Sequence, residues 1–311
     1  MREIFGALVM KSSSRLVIRE HRIPTPGSGP YIVTEGPDGN LWFCESRAGK
    51  IGCFDPDTGA FREFALADRD CMPVGIAAGA DGNLWFTEKQ TGRIGRISVD
   101  GVIAEFALPS SNAAPDGIAL GPDGNIWCSE ADIDRIARVT PEGQINEFGA
   151  GMSPGSRPLS IVVRDDALWF SQAAGCRIAR MGLDGAVTEF AIPSPNSQPR
   201  AMALHPDGSI WFVETGANAL GRIAGDGAIA EFAVPTPNAS VRGVAISGSG
   251  DIWFTENFAN RIGRMNASGA MIGEYDIPTP ASGARCIVAT AKDRLFFTQY
   301  DSGAMAEIIF S

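Results

Sequence analysis

Histidine is nearly absent: the 311-residue chain holds two, His21 and His205. The side chain that most often carries a proton near neutral pH is therefore scarce, which leaves little material for histidine-centred catalysis or metal binding. Long apolar runs are missing as well. The apolar piece near the start, Ile4 to Met10, falls far short of the roughly 20 residues a membrane helix needs, and Lys11 follows it at once. Neither a membrane span nor a signal peptide is expected, and the predicted location is cytoplasmic. Paired cysteines are absent: Cys44, Cys53, Cys71, Cys128, Cys176 and Cys286 are scattered without a CxxC, unlike a zinc site or a disulfide framework. Most are expected to be small buried hydrophobes. Basic residues are outnumbered 26 to 36, and a net charge of −10 repels phosphate backbones, so nucleic acid is not an expected partner. No HExxH, P-loop, dinucleotide glycine motif or EF-hand loop occurs. Gly151 to Gly155 spells G-x-S-x-G, but that nucleophile elbow needs a strand entering a helix, and no helical pattern follows here.

What the chain does have is a repeat. Its six tryptophans, Trp42, Trp85, Trp127, Trp169, Trp211 and Trp253, recur with Phe296 in a seventh slot at gaps of 43, 42, 42, 42, 42 and 43. That period is the length of a propeller blade, a four-stranded sheet that buries its faces only by stacking on its neighbours. The second unit shows the pattern inside: Gly75 to Ala78, an Asp81-Gly82-Asn83 turn, Leu84 to Glu88, Arg93 to Ile97, an Asp100-Gly101 turn, and Val102 to Pro109. Asp-Gly between short apolar runs supplies positive φ for hairpins, so each unit reads as four strands, A to D. Proline beside D fits an outer edge, where a missing backbone donor costs little. The last unit supplies A, B and C over about 285–309 and stops, whereas Leu16 to Pro24 looks like an orphan D strand. The predicted fold is all-β: one seven-bladed propeller domain over 15–311, closed by the N-terminal strand. Residues 1–14 are expected to be a flexible tail.

The unit Pro-x-Gly-Ile, Asp-Gly-Asn-x-Trp-Phe-Thr-Glu, Arg-Ile-Gly-Arg, Ile-Pro-Thr-Pro resembles the repeat of the streptogramin B lyases (virginiamycin B lyases). It is clearest in Leu84 to Glu88, Ile252 to Glu256, Arg261 to Arg264 and Ile277 to Pro280. The resemblance spans about 16–311 and implies a seven-bladed propeller that opens cyclic depsipeptide antibiotics by elimination, using Mg²⁺ with histidine and glutamate from the last two blades. Where the family has Pro-His-Ala in the sixth unit, this chain has Val241-Arg242-Gly243, and Glu-Pro-His of the seventh corresponds to Gly283-Ala284-Arg285. A family glutamate falls at Gln299 or Tyr300, depending on the gap. None of these residues is matched.

Repetition separates scaffold from site. A residue present in every blade serves the blade, whereas a ligand on the axis needs only a few unequal positions. By that criterion the tryptophans, Asp-Gly turns and Arg-Ile-Gly-Arg runs are structural. Two rings share one rim, because the start of A and the end of B lie together in an antiparallel hairpin. B ends in Glu45, Glu88, Glu130, Gln172, Glu214, Glu256 and Gln299. These carboxylates are expected to accept backbone hydrogen bonds or pair with a base such as Arg93 or Arg261, or else to do metal or acid–base work. The residue just before A varies: Tyr31, Val74, Asp116, Leu159, Arg200, Arg242 and Arg285. Three guanidinium groups at one opening need an anion, either Glu214 and Glu256 or a ligand carboxylate, sulfate or phosphate. Asp116, Tyr31 and Tyr300 would complete the mouth.

Guanidinium cannot serve as a base near neutral pH, so any elimination must use a carboxylate, with Asp116, Glu214 and Glu256 as candidates. Three functions follow. One is a divergent binding protein, holding a small anionic or peptidic ligand in the arginine-lined mouth. The second is an active lyase, Mg²⁺-dependent by resemblance, or a lactone-processing hydrolase with a rearranged site. The third is a protein-docking platform. A monomer is expected, since a closed propeller buries its own edges.

Overall fold

Turn chemistry builds each blade from the expected residues. In the second repeat Gly82 adopts φ 75°, and Asp81 accepts the backbone N–H of Asn83 and the indole N–H of Trp85, at 3.2 Å each. The same aspartate thus closes the A–B hairpin and fixes the tryptophan that follows it. A computed structural model describes residues 16–310. Among them every regular element is a strand, arranged as seven four-stranded antiparallel sheets. In the second blade the strands are Pro73–Ala78, Leu84–Glu88, Arg93–Ile97 and Ile103–Ala107. The seventh blade orders Leu16–Arg22, Ala304–Phe310, Leu295–Gln299 and Ala284–Ala289 side by side, so the N-terminal strand closes the ring. The expected tail at 1–14 lies outside the described residues. No described helix is long and apolar enough to cross a membrane.

The conspicuous repeat residues hold blades together. Trp85 is 1% exposed and stacks on Phe106 of strand D at 5.7 Å, and Arg96 of the Arg-Ile-Gly-Arg run lies 5.5 Å over the indole. Its core cluster reaches Ile118, Ile126 and Cys128 of the next blade, so blades bury their faces against one another. The glycine of the run is required by a close approach: a methyl group on Gly95 would fall 2.0 Å from Cζ of Phe86. Deleting such a tryptophan would cost about 3–5 kcal/mol by the usual scale for large core truncations.

One boundary differs from expectation. Strand A starts two residues earlier than predicted, at Pro199 in the fifth blade, where Pro199 pairs with Glu214 before a bulge shifts the register to Met202. The variable residues Tyr31, Asp116, Arg200, Arg242 and Arg285 are therefore the second residues of their A strands. They sit in that bulge, between residues paired with strand B, as Arg200 does between Pro199 and Met202. The six cysteines are free thiols, four of them buried.

Candidate functional site at the propeller axis

The seven A strands surround an axial cavity of about 420 Å³, within the usual range for small-molecule sites. At its entrance stand Tyr31, Asp116, Arg200, Arg242 and Arg285, so five of the residues expected at the mouth share one cavity. Tyr300 does not line it. Instead it backs Arg285, whose guanidinium lies 4.1 Å from the Tyr300 ring and 5.1 Å from that of Tyr31. Arg47 also lies 4.1 Å from Tyr300 and is held by Asp301 at 2.9 Å. Stacking thus fixes one arginine of the collar without neutralising it.

Among the described residues no carboxylate pairs with the three arginines of the collar, and their sole side-chain hydrogen bond runs from Arg242 Nε to Ser240 Oγ, at 3.2 Å. The Nε atoms of Arg200 and Arg285 are buried and bonded to nothing. Burial, then the charges of Arg200 and Arg285, lower the Arg242 guanidinium to about 10. It remains charged at neutral pH, so three positive groups face one another across the opening. Of the two anions considered for them, Glu214 and Glu256 are excluded by position.

Those glutamates point into the blades. Glu45, Glu88, Glu130, Glu214 and Glu256 are all 0% exposed and absent from the cavity wall. Glu214 reaches over Gly221 of strand C, where a methyl group would sit 2.6 Å from its Oε1, toward Glu231, the residue paired with Gly221 on strand D. Each blade repeats the meeting, and the two exceptions explain it. Gln172 Nε2 donates to Glu189 at 2.7 Å, and Gln299 Nε2 donates to Glu20 at 2.7 Å. A protonated glutamate has the shape and donor capacity of that glutamine. Burial first, and the D-strand carboxylate with it, pushes Glu45, Glu130 and Glu214 up to about 8 and Glu256 to about 7. Burial also raises Glu88, whose Oε2 accepts from Thr91 Oγ1 at 2.6 Å.

Two of the outer carboxylates, Glu147 and Glu189, are held below their ordinary value by hydrogen bonds. Glu147 accepts from Ser110 N at 2.9 Å, Ser110 Oγ at 2.5 Å and Arg135 Nη1 at 2.7 Å. Burial pushes Glu147 upward, but these bonds outweigh it and hold the group below its ordinary value. The expectation that Arg93 and Arg261 pair with the B-end ring is corrected accordingly: Arg93 binds Glu105 at 3.0 Å, and Arg261 binds Asp276 at 2.8 Å with Glu274 at 3.7 Å, all on strand D. Strand D was unrecognised as the partner, although its recurring Glu-Phe pair was a visible signal.

Asp116 faces the cavity but is bonded to Lys89 Nζ at 2.6 Å, a partner that was not foreseen. His21 packs its ring 4.9 Å from Phe54, and His205 sits in a turn against Asp207 at 2.8 Å, so neither lines the mouth. The fit to Mg²⁺ is poor. Three guanidinium groups repel a divalent cation, the one carboxylate at the mouth is already bonded to Lys89, and no three His, Cys, Asp or Glu among the described residues converge as ligands.

Fold and site define a seven-bladed propeller whose axial cavity opens past three arginines. Its lineage is equally clear, since the profile of the virginiamycin B lyase family matches residues 16–308, and the chain belongs to that family. A solved streptogramin B lyase is 31% identical with a TM-score of 0.90, over 95% of this chain and 98% of that one. Virginiamycin B lyase from Staphylococcus aureus is 33% identical, also with a TM-score of 0.90, over 96% and 100%. A catalytically inactive His-to-Ala variant of that enzyme has been solved with quinupristin. Virginiamycin B lyase from Saccharopolyspora erythraea shares 51% identity, but over 39 residues, 12% of this chain and 13% of that enzyme.

Proposed function

We propose that this streptogramin B lyase-like propeller binds a small anionic or peptidic ligand at its axial mouth and does not carry out elimination. The observation that carries the reading is the uncompensated collar: Arg200, Arg242 and Arg285 converge on one cavity, with two buried Nε atoms unbonded. Burying like charges without a partner is costly, and an anion seated among them would supply the missing charge-assisted bonds. Elimination lacks a base at this site. Asp116 is tied to Lys89, Glu214 and Glu256 are sealed inside blades, and guanidinium does not release its proton.

Calorimetric titration with inorganic sulfate, comparing the wild type with Arg285→Ala, tests the reading. The variant should weaken binding by roughly 1.5–3 kcal/mol, the scale of a hydrogen bond to a charged group. Equal binding by both proteins would reject it. Whole-chain likeness to the lyases supports the competing activity, so quinupristin is the second probe. A ring-opened product of unchanged mass would establish elimination and overturn the binding reading.

A further inference from the structure

The collar is one level of the axial wall, and the levels beneath it have a different character. One step along the A strands from the collar come Ile32, Ser160, Ala201 and Cys286, with glycine at Gly117 and Gly243. Those glycines let neighbouring A strands touch: a methyl group on Gly243 would lie 2.3 Å from the carbonyl oxygen of Arg285. Two residues further on, Thr34, Ala77 and Ala119 line the wall, and Leu120 follows. Among the described residues, no Asp, Glu, Lys, Arg or His lines the cavity below the collar. Ser160 Oγ already accepts from Met202 N at 3.3 Å. The Cys286 thiol, pushed up to about 11 by burial, is uncharged at neutral pH. At the far end Leu120 is 36% exposed. From Asp116 to Leu120 the strand rises roughly 13 Å.

Resting on the anion-binding reading, we propose that the ligand is an amphiphile: a carboxylate held by Arg200, Arg242 and Arg285, with an unbranched or lightly branched apolar body along the axis. A purely polar anion would use the collar and leave the aliphatic wall in contact with water. A neutral apolar molecule would leave the guanidinium groups unpaired. Only a ligand with one charged end and one apolar end satisfies both halves of the cavity, and the length of the wall suits a chain of several carbons.

The test uses the full chain and three probes in calorimetry: octanoate, acetate and inorganic sulfate. Octanoate should bind at least about a hundredfold more tightly than acetate, a conservative figure for burying its extra methylenes. Arg242→Gln should lower octanoate affinity by about tenfold or more. If sulfate or acetate binds as tightly as octanoate, the amphiphile is wrong and anion binding stands. If octanoate binds equally to wild type and Arg242→Gln, its head does not use the collar and the proposal fails. If none of the three binds, both readings fall together.

Discussion

Two sets of like charges lie at the same rim, and they are accommodated in opposite ways. Inside the blades, five inner glutamates face D-strand carboxylates, and burial with that neighbouring charge raises all five, Glu45, Glu130 and Glu214 to about 8, where the inner member keeps a proton at neutral pH. At the axis, three arginines face one another with no such relief. The difference lies in the groups themselves. A carboxyl can be shifted from 4.5 to about 8 and become a neutral donor at physiological pH, as Glu214 does. Arg242, shifted down to about 10, is still charged. The acidic pairs can therefore complete themselves as the chain folds, whereas the basic collar must be completed by something else. Gln172 and Gln299 show what the blades require, because in two of seven positions the proton is replaced by an amide and the bond survives.

The largest expected effect concerns the acidic pairs. Because the folded value of Glu214 lies above its ordinary 4.5, the stability its proton supports is fully present below that pH and is lost as pH rises toward 8. The melting temperature should fall between about pH 5 and pH 9 as the unfolded chain sheds protons that the folded one retains. Glu214→Gln should raise stability by roughly 2 kcal/mol near pH 8 and change little near pH 4. A variant less stable than wild type at the higher pH would break the comparison. The reverse exchange sharpens it. Gln172→Glu should destabilise by roughly 1–2 kcal/mol near pH 8, with the penalty vanishing near pH 4. Denaturant titration at both values reads it directly.

The smallest effect distinguishes the collar from the scaffold. Arg242→Gln removes one of three mutually repelling charges, so the unliganded protein should gain roughly 0.5–1 kcal/mol, as substitutions at functional sites often do. Sulfate should raise the melting temperature of wild type and not of this variant. A variant that loses stability without ligand would mean that the arginine serves the fold.

Strand-level detail was legible where one residue type repeats for one local reason. Leu84 to Glu88 and Arg93 to Ile97 were expected as strands with those limits, because Asp-Gly turns and the tryptophan register mark them. The collar was visible for the opposite reason: Tyr31, Asp116, Arg200, Arg242 and Arg285 break a position that a scaffold alone would keep uniform. Partnerships between strands were not legible. Lys89 meets Asp116 across 27 residues and a blade boundary, and nothing in either neighbourhood announces it. Glu214 was read as facing the mouth because the rim was right. The direction of its side chain depends on Gly221 leaving space over strand C.

The order of residues by itself determined the number of blades, their strands and the way the ring closes, because turn and packing preferences act over a few neighbours and recur seven times. Only the tertiary structure decided which charges are neutralised and which are left bare. That depends on distances between side chains far apart in the chain, and on how completely water is removed around each. Burial raised the inner carboxylates above their ordinary range and left three guanidinium groups facing an open cavity.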